Sequence, residues 1–89
     1  MTVAEPVLII AFNRPDHLKA LIERLSEIKP RTIYLAVDGP RGPRDEAQVR
    51  ECQALAGTID WTGDVHTQFQ ESNLGCGEGV TAAITWFFD

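Results

Sequence analysis

Ile33-Tyr34-Leu35-Ala36-Val37-Asp38-Gly39-Pro40-Arg41 decides the fold. A short apolar run with β-branched residues, bounded by Pro30-Arg31 on one side and by Gly and Pro on the other, predicts a strand buried on both faces. It ends on a carboxylate. In an open α/β sheet, ligands occupy the crevice beyond the carboxyl ends of the strands, so a tip carrying Asp38, a flexible Gly39 and Arg41 is where chemistry is expected. Asp-Gly-Pro is equally the chemistry of an ordinary turn, and this stretch alone does not separate the two readings.

Working outward, Pro6-Val7-Leu8-Ile9-Ile10-Ala11-Phe12 is a second continuous apolar strand, expected in the interior of the sheet of an intact protein. Asn13-Arg14-Pro15-Asp16 reads as a helix start: Asn as a cap, Pro in the first turn, Asp at the positive end of the dipole. Leu18, Leu21, Ile22, Leu25 and Ile28 then form one apolar stripe, and Pro30 ends the helix. Beyond Arg41, Asp45 with Gln48 three residues later makes a capping signal. Val49, Cys52, Leu55, Ala56 and Ile59 form the next stripe, fraying at Gly57.

Asp60-Trp61-Thr62-Gly63-Asp64 is a turn with an anchoring indole. Val65, Thr67 and Phe69 alternate with His66, Gln68 and Gln70 in a weaker strand of edge type. A connection with Gly75, Gly77 and Gly79 leads into a third helix marked by Val80, Ala83, Ile84 and Phe87. The order β-α-β-α-β-α is that of one Rossmann-like, mononucleotide-binding half of a doubly wound α/β fold, with a parallel three-stranded sheet in the order 3-2-1. In the full fold a fourth strand pairs beside the first. The first strand would otherwise be an uncovered edge, and the bunched Trp86, Phe87 and Phe88 fit a chain that continues.

With 89 residues the chain is a single domain, residues 1–89, able to bury roughly 60–65% of its unfolded surface. Hydrophobic residues make up 44% and charged residues 24%, and no apolar run reaches membrane-spanning length. Met1-Thr2-Val3-Ala4-Glu5 lacks the features of a secretion leader, so a soluble, cytoplasmic protein is expected. Cys52 and Cys76 lie far apart with no CxxC pairing, and are expected to be reduced, buried fillers. A net charge of −5 argues against nucleic acid as a partner. Arg14, Arg31, Arg41 and Arg44 gather near strand ends, a local positive spot suited to one small anion or to plain solvation.

Gly75, Gly77 and Gly79 have the wrong spacing for a dinucleotide fingerprint, and no Lys-Ser/Thr follows to make a P-loop; a tight turn is the better reading. Ser26 and Ser72 lack a nucleophile elbow, His17 and His66 read as surface residues, and no metal-ligand spacing occurs. No catalytic and no metal-binding residue is assigned.

Pro6 to Pro15, then Val37-Asp38-Gly39-Pro40-Arg41, then Asn73-Leu74-Gly75 opening a helix, together resemble the N-terminal half of a GT-A-fold, family 2-like glycosyltransferase. The nearest likeness is to a subgroup whose members carry labels such as haemolytic protein or sugar transferase, with DGPR, NLGCG and a following W-F-F. The resemblance covers nearly the whole chain.

It implies a nucleotide-diphospho-sugar as partner, with an unspecified sugar acceptor. Ala11, Phe12 and Asn13 would wall the base and ribose, Asp38 would accept a hydrogen bond from the base, and Arg14 and Arg41 would face the diphosphate. Asn73 and Gly75 would form the floor. Such enzymes hold a divalent cation, Mn or Mg, on an acidic motif that follows the fourth strand, and the catalytic base comes later still. Neither lies within these residues, so no cofactor is expected in this chain and the fragment is expected to be inactive by itself. A reading of another class is a flavodoxin-like interaction module that self-associates or binds a partner through its open strand edge and aromatic last helix. A nucleotidyltransferase of similar fold fits less well, because its Gly-rich, basic first loop is missing after Phe12.

Overall fold

The computed structural model describes residues 5–89. Residues 1–4, read above for a leader, lie outside the described residues. The elements are β1 (Val7–Ala11), α1 (Pro15–Ile28), β2 (Thr32–Val37), α2 (Glu46–Ala54) with a 3₁₀ turn at Leu55–Thr58, β3 (Asp64–Phe69) and α3 (Gly75–Phe88). The three strands form one parallel sheet in the order β1-β2-β3, an α/β arrangement compatible with one half of a Rossmann-like sheet. In register, Ile33 lies between Val7 and Val65, Leu35 between Ile9 and Thr67, and Val37 between Ala11 and Phe69.

That register explains the core. With side chains alternating across a strand, Ile9, Ile33, Leu35 and Val37 share one face, where they meet Leu18 and Ile22 of α1, Val49 and Cys52 of α2, and Ile59. The stripes read from the sequence are therefore largely those that pack. Leu21 and Ile28 are exceptions: both are exposed, because the buried arc of α1 is narrower than its run of leucines and isoleucines. α1 ends at Ile28. Lys29 adopts φ 48° and donates its N–H to Leu25 O at 2.8 Å, with buried Pro30 following.

The opposite face carries Tyr34, flanked by His66, whose ring stacks on it at 4.6 Å, and by the edges of Trp86 and Phe87, each 5.1 Å away. Here the expected stripe of α3 needs correction. Ala83 is buried and Trp86 and Phe87 are half-buried, whereas Ile84 faces out, because the seating of Trp86 and Phe87 against Tyr34 fixes the rotation of the helix. Phe88 is 79% exposed. β1, expected to be an uncovered edge when no fourth strand lies beside it, pairs with β2 alone among the described residues. β3 is the other edge, as its polar alternation implied, and Trp61 anchors the turn before it by donating Nε1–H to Pro30 O at 2.8 Å.

No helix among the described residues is long and apolar enough to cross a membrane. The two cysteines part company. Cys52 is fully buried, which pushes its thiol pKa up, but Cys76 is exposed in the first turn of α3, against the expectation of a buried filler. Cys76 shares a face of α3 with Gly79, Val80 and Ala83, and its exposure comes from its place in the first turn, where that face borders open space at the strand tips.

Candidate functional site

All three strands point the same way, so their carboxyl ends converge. Two hydrogen bonds carry the parallel ladder past the strand ends: Asp38 N–H to Ala11 O and Gln70 N–H to Val37 O, each 3.0 Å. The tips are thereby held side by side. Above them opens a cleft of about 540 Å³, within the usual range of small-molecule sites. Its walls are apolar at Ile10, Ala11, Phe12, Ala36, Val37 and Val80. Asp38, Arg41, Gln68, Gln70, Asn73, Gly75, Cys76 and Gly79 complete the lining.

Asp38 sits at the centre of this arrangement. Its Oδ1 accepts N–H bonds from Gly39 at 2.8 Å and Leu74 at 2.9 Å; its Oδ2 accepts from Gly75 N–H and Asn73 Nδ2, each at 3.2 Å. The free N–H groups at a helix N-terminus make an anion site. Here the protein's own carboxylate fills it. Asp38 thus bolts the start of α3 to the tip of β2, and its charge complements the positive end of the α3 dipole.

Two glycines make that closure sterically possible. A Cβ on Gly39 would lie 2.5 Å from the backbone carbon of Ser72, so the two loops pass each other at a separation that only glycine permits. The flexibility read into Gly39 from the sequence is in fact close approach, sealed by Asn73 Nδ2 donating to Gly39 O at 3.0 Å. Gly75 opens α3 at φ +87°, a conformation that side-chain-bearing residues rarely adopt.

A second carboxylate, Asp45, was read from the sequence as a helix cap. It caps nothing: its side chain makes no bond to the first turn of α2, and its own backbone is already helical. Instead Oδ1 accepts from Asn13 Nδ2 at 3.1 Å, while Oδ2 accepts from Arg41 N–H at 3.1 Å and Arg41 Nε–H at 3.0 Å. These donors, the Arg41 guanidinium first and Asn13 next, lower the Asp45 pKa to about 2. The Arg41 guanidinium lies over the Phe12 ring, 5.2 Å from its centroid. Asn13 likewise does not cap α1: its Nδ2 donates to Asp45, and the residue at the cap position is Arg14, which makes no side-chain cap bond.

The predicted site residues therefore separate. Ala11, Phe12, Asp38, Arg41, Asn73 and Gly75 come together on the cleft; Asn13 and Arg14 do not line it. Arg14 turns along α1 toward His17 Nε2 at 2.7 Å and Asp16. Arg31 precedes β2, at the opposite end of the strand, so among the predicted cluster Arg41 is the cation that lines the cleft. Sequence reasoning missed Gln68 and Gln70. The polar phase of β3 could have found them, because the β3 tip must join the other two tips in a parallel sheet. No group of three or more His, Cys, Asp or Glu that could hold a metal ion occurs among the described residues. The carboxylates of the two loops are occupied by N–H donors, so the residues present do not fit a divalent cation. Comparison with protein-family models, with curated proteins and with solved structures finds no match.

Proposed function

We propose that this chain is the donor-binding half of a glycosyltransferase, holding a nucleotide-diphospho-sugar in the cleft at the strand tips. One observation carries the reading. Of the eight residues that the family resemblance assigns to the nucleotide, six line the cleft, Ala11, Phe12, Asp38, Arg41, Asn73 and Gly75, while Asn13 and Arg14 lie outside its lining. The six come from three separate loops, and they share the wall of a single cleft of nucleotide size. In this reading the sheet, taken from its β3 side as 3-2-1, continues beside β1 in a complete GT-A domain. The metal-holding acids and the catalytic base belong to that further part, and this half binds without transferring.

The chemistry divides along the cleft. The apolar wall suits a base and ribose, Gln68 and Gln70 offer amide donors and acceptors for base edges, and Arg41 supplies charge for phosphate. Asp38 shapes the floor. Each of its oxygens already takes two donors, so a base N–H must share an oxygen or displace Asn73. Calorimetric titration with UDP, GDP, UMP, uridine and pyrophosphate tests the reading. A nucleoside diphosphate is expected to bind at least several-fold more tightly than either its nucleoside or pyrophosphate; equal or absent binding of all five sinks it.

A second reading draws on β1. Its outer edge is unpaired among the described residues, Ile10 is 44% exposed, and β1 carries none of the charges that usually protect an edge. An interaction module would pair there with a second copy. Sedimentation velocity across a hundredfold concentration range decides: self-association abolished by Ile10→Lys favours the module, and a monomer throughout removes it.

A further inference from the structure

Asp45 is the one buried charged residue among the described residues, 8% exposed, and it lies outside the cleft lining. A buried carboxylate is costly unless it is paired and fully hydrogen-bonded. Asp45 meets that condition with partners from two loops that face one another across the β1 and β2 tips. We propose that Asp45 is a positioning residue for anion recognition: through Asn13 it ties the β1–α1 loop to the β2–α2 loop, and through Arg41 it aims the guanidinium into the cleft.

The geometry of Arg41 supports this. One Asp45 oxygen receives both the backbone N–H and Nε–H of Arg41, which fixes the start and the far part of the side chain together. The guanidinium then lies over the Phe12 ring. Its Nη groups have no acceptor among the described residues, and Arg41 lines the cleft. A planar fork held at its Nε edge presents its remaining donors in a set direction, which suits paired oxygens of a phosphoryl group better than a mobile ammonium would. Because Asn13 joins the same carboxylate, the β1–α1 loop is braced along with Arg41. That gives Asn13 a role in the site without contact with the cleft.

For the wider identity of the ligand this inference rests on the reading of the cleft as a nucleotide site; the brace rests on the bond geometry. The test uses the 89-residue chain with pyrophosphate and UDP as probes, and the ¹⁵N resonance of Arg41 Nε–H as reporter. In Asp45→Ala that resonance is expected to move to the position of free arginine and pyrophosphate affinity to fall about tenfold. Asp45→Asn, which keeps the shape and one acceptor oxygen, is expected to fall between, and carries the test if the alanine variant does not fold. Arg41→Lys should weaken pyrophosphate binding as much as Asp45→Ala does.

An unmoved Nε–H resonance in Asp45→Asn, or a wild-type chain that does not bind pyrophosphate, overturns the proposal. Pyrophosphate binding that depends on Asp45, with no added affinity for UDP, upholds it and removes the nucleotide reading. UDP binding left unchanged by Asp45→Asn does the reverse.

Discussion

Under α1 and α2 the sheet buries Ile9, Ile33, Leu35 and Val37 against Leu18, Ile22, Val49 and Cys52, a closed aliphatic layer. On the α3 side the covering is partial: Tyr34 meets Trp86 and Phe87 toward one end, and toward the strand tips the helix stands off to leave the cleft. The closed side is held by packing, the open side by hydrogen bonds to Asp38 and by glycine clearances. An open cleft cannot be sealed by apolar contact, so here its walls are fixed by polar bolts instead.

Substitutions sharpen that contrast. Leu35→Ala, at a fully buried position of the closed layer, is expected to cost about 3–5 kcal/mol in urea unfolding. A loss under about 1 kcal/mol would mean that this layer does not carry the fold. Gly39→Ala places a Cβ against the Ser72 backbone and is expected to cost about 3 kcal/mol, while also abolishing ligand binding, since the loop that must retreat is the cleft floor. Asp38→Ala should cost about 2–3 kcal/mol by stranding donors at Leu74, Gly75 and Asn73, with faster amide exchange confined to the start of α3. Exchange rising equally in α1 would erase the distinction between the two sides.

Trp86→Ala removes more atoms than Leu35→Ala but is expected to cost only about 1–2 kcal/mol, because the indole is half-buried and meets Tyr34 edge-on. A larger loss than that of Leu35→Ala would invert the comparison. The smallest effect is acid sensitivity of the brace. The folded-state pKa of Asp45, about 2, lies below its ordinary value, so the contribution of the Arg41 pair is complete above pH ~4. It is lost as pH falls from there through about 2. Following the Asp45 carboxyl carbon resonance with pH checks this, and a midpoint in the ordinary carboxylate range would contradict the brace.

The closed side was legible in the sequence because aliphatic periodicity reports burial: the strand containing Leu35, the stripes of α1 and α2 and the stop at Pro30 all follow from spacing. The open side was legible only in outline. Asp38 was located at the correct tip, but that its acceptors are filled by the α3 start depends on how closely Gly39 passes Ser72, a distance no local pattern encodes. Asp45 has the spacing of a cap, and only tertiary placement shows Asn13 and Arg41 outcompeting the α2 N–H groups for it. Ile84 and Trp86 were exchanged because α3 carries apolar side chains around most of its circumference, so periodicity does not select a face. Arg14 and Arg41 looked alike as cations near strand tips; an available carboxylate and the Phe12 ring hold one at the cleft, and His17 and Asp16 draw the other away.

Amide chemical-shift mapping during UDP titration of the ¹⁵N-labelled chain tests most directly whether the strand-tip cleft is a nucleotide site. Shifts are expected to concentrate at Ala11, Phe12, Arg41, Gln68, Gln70, Asn73 and Gly75, with α1 and α2 unmoved below their first turns. Saturable shifts elsewhere, or none at millimolar UDP, would contradict it.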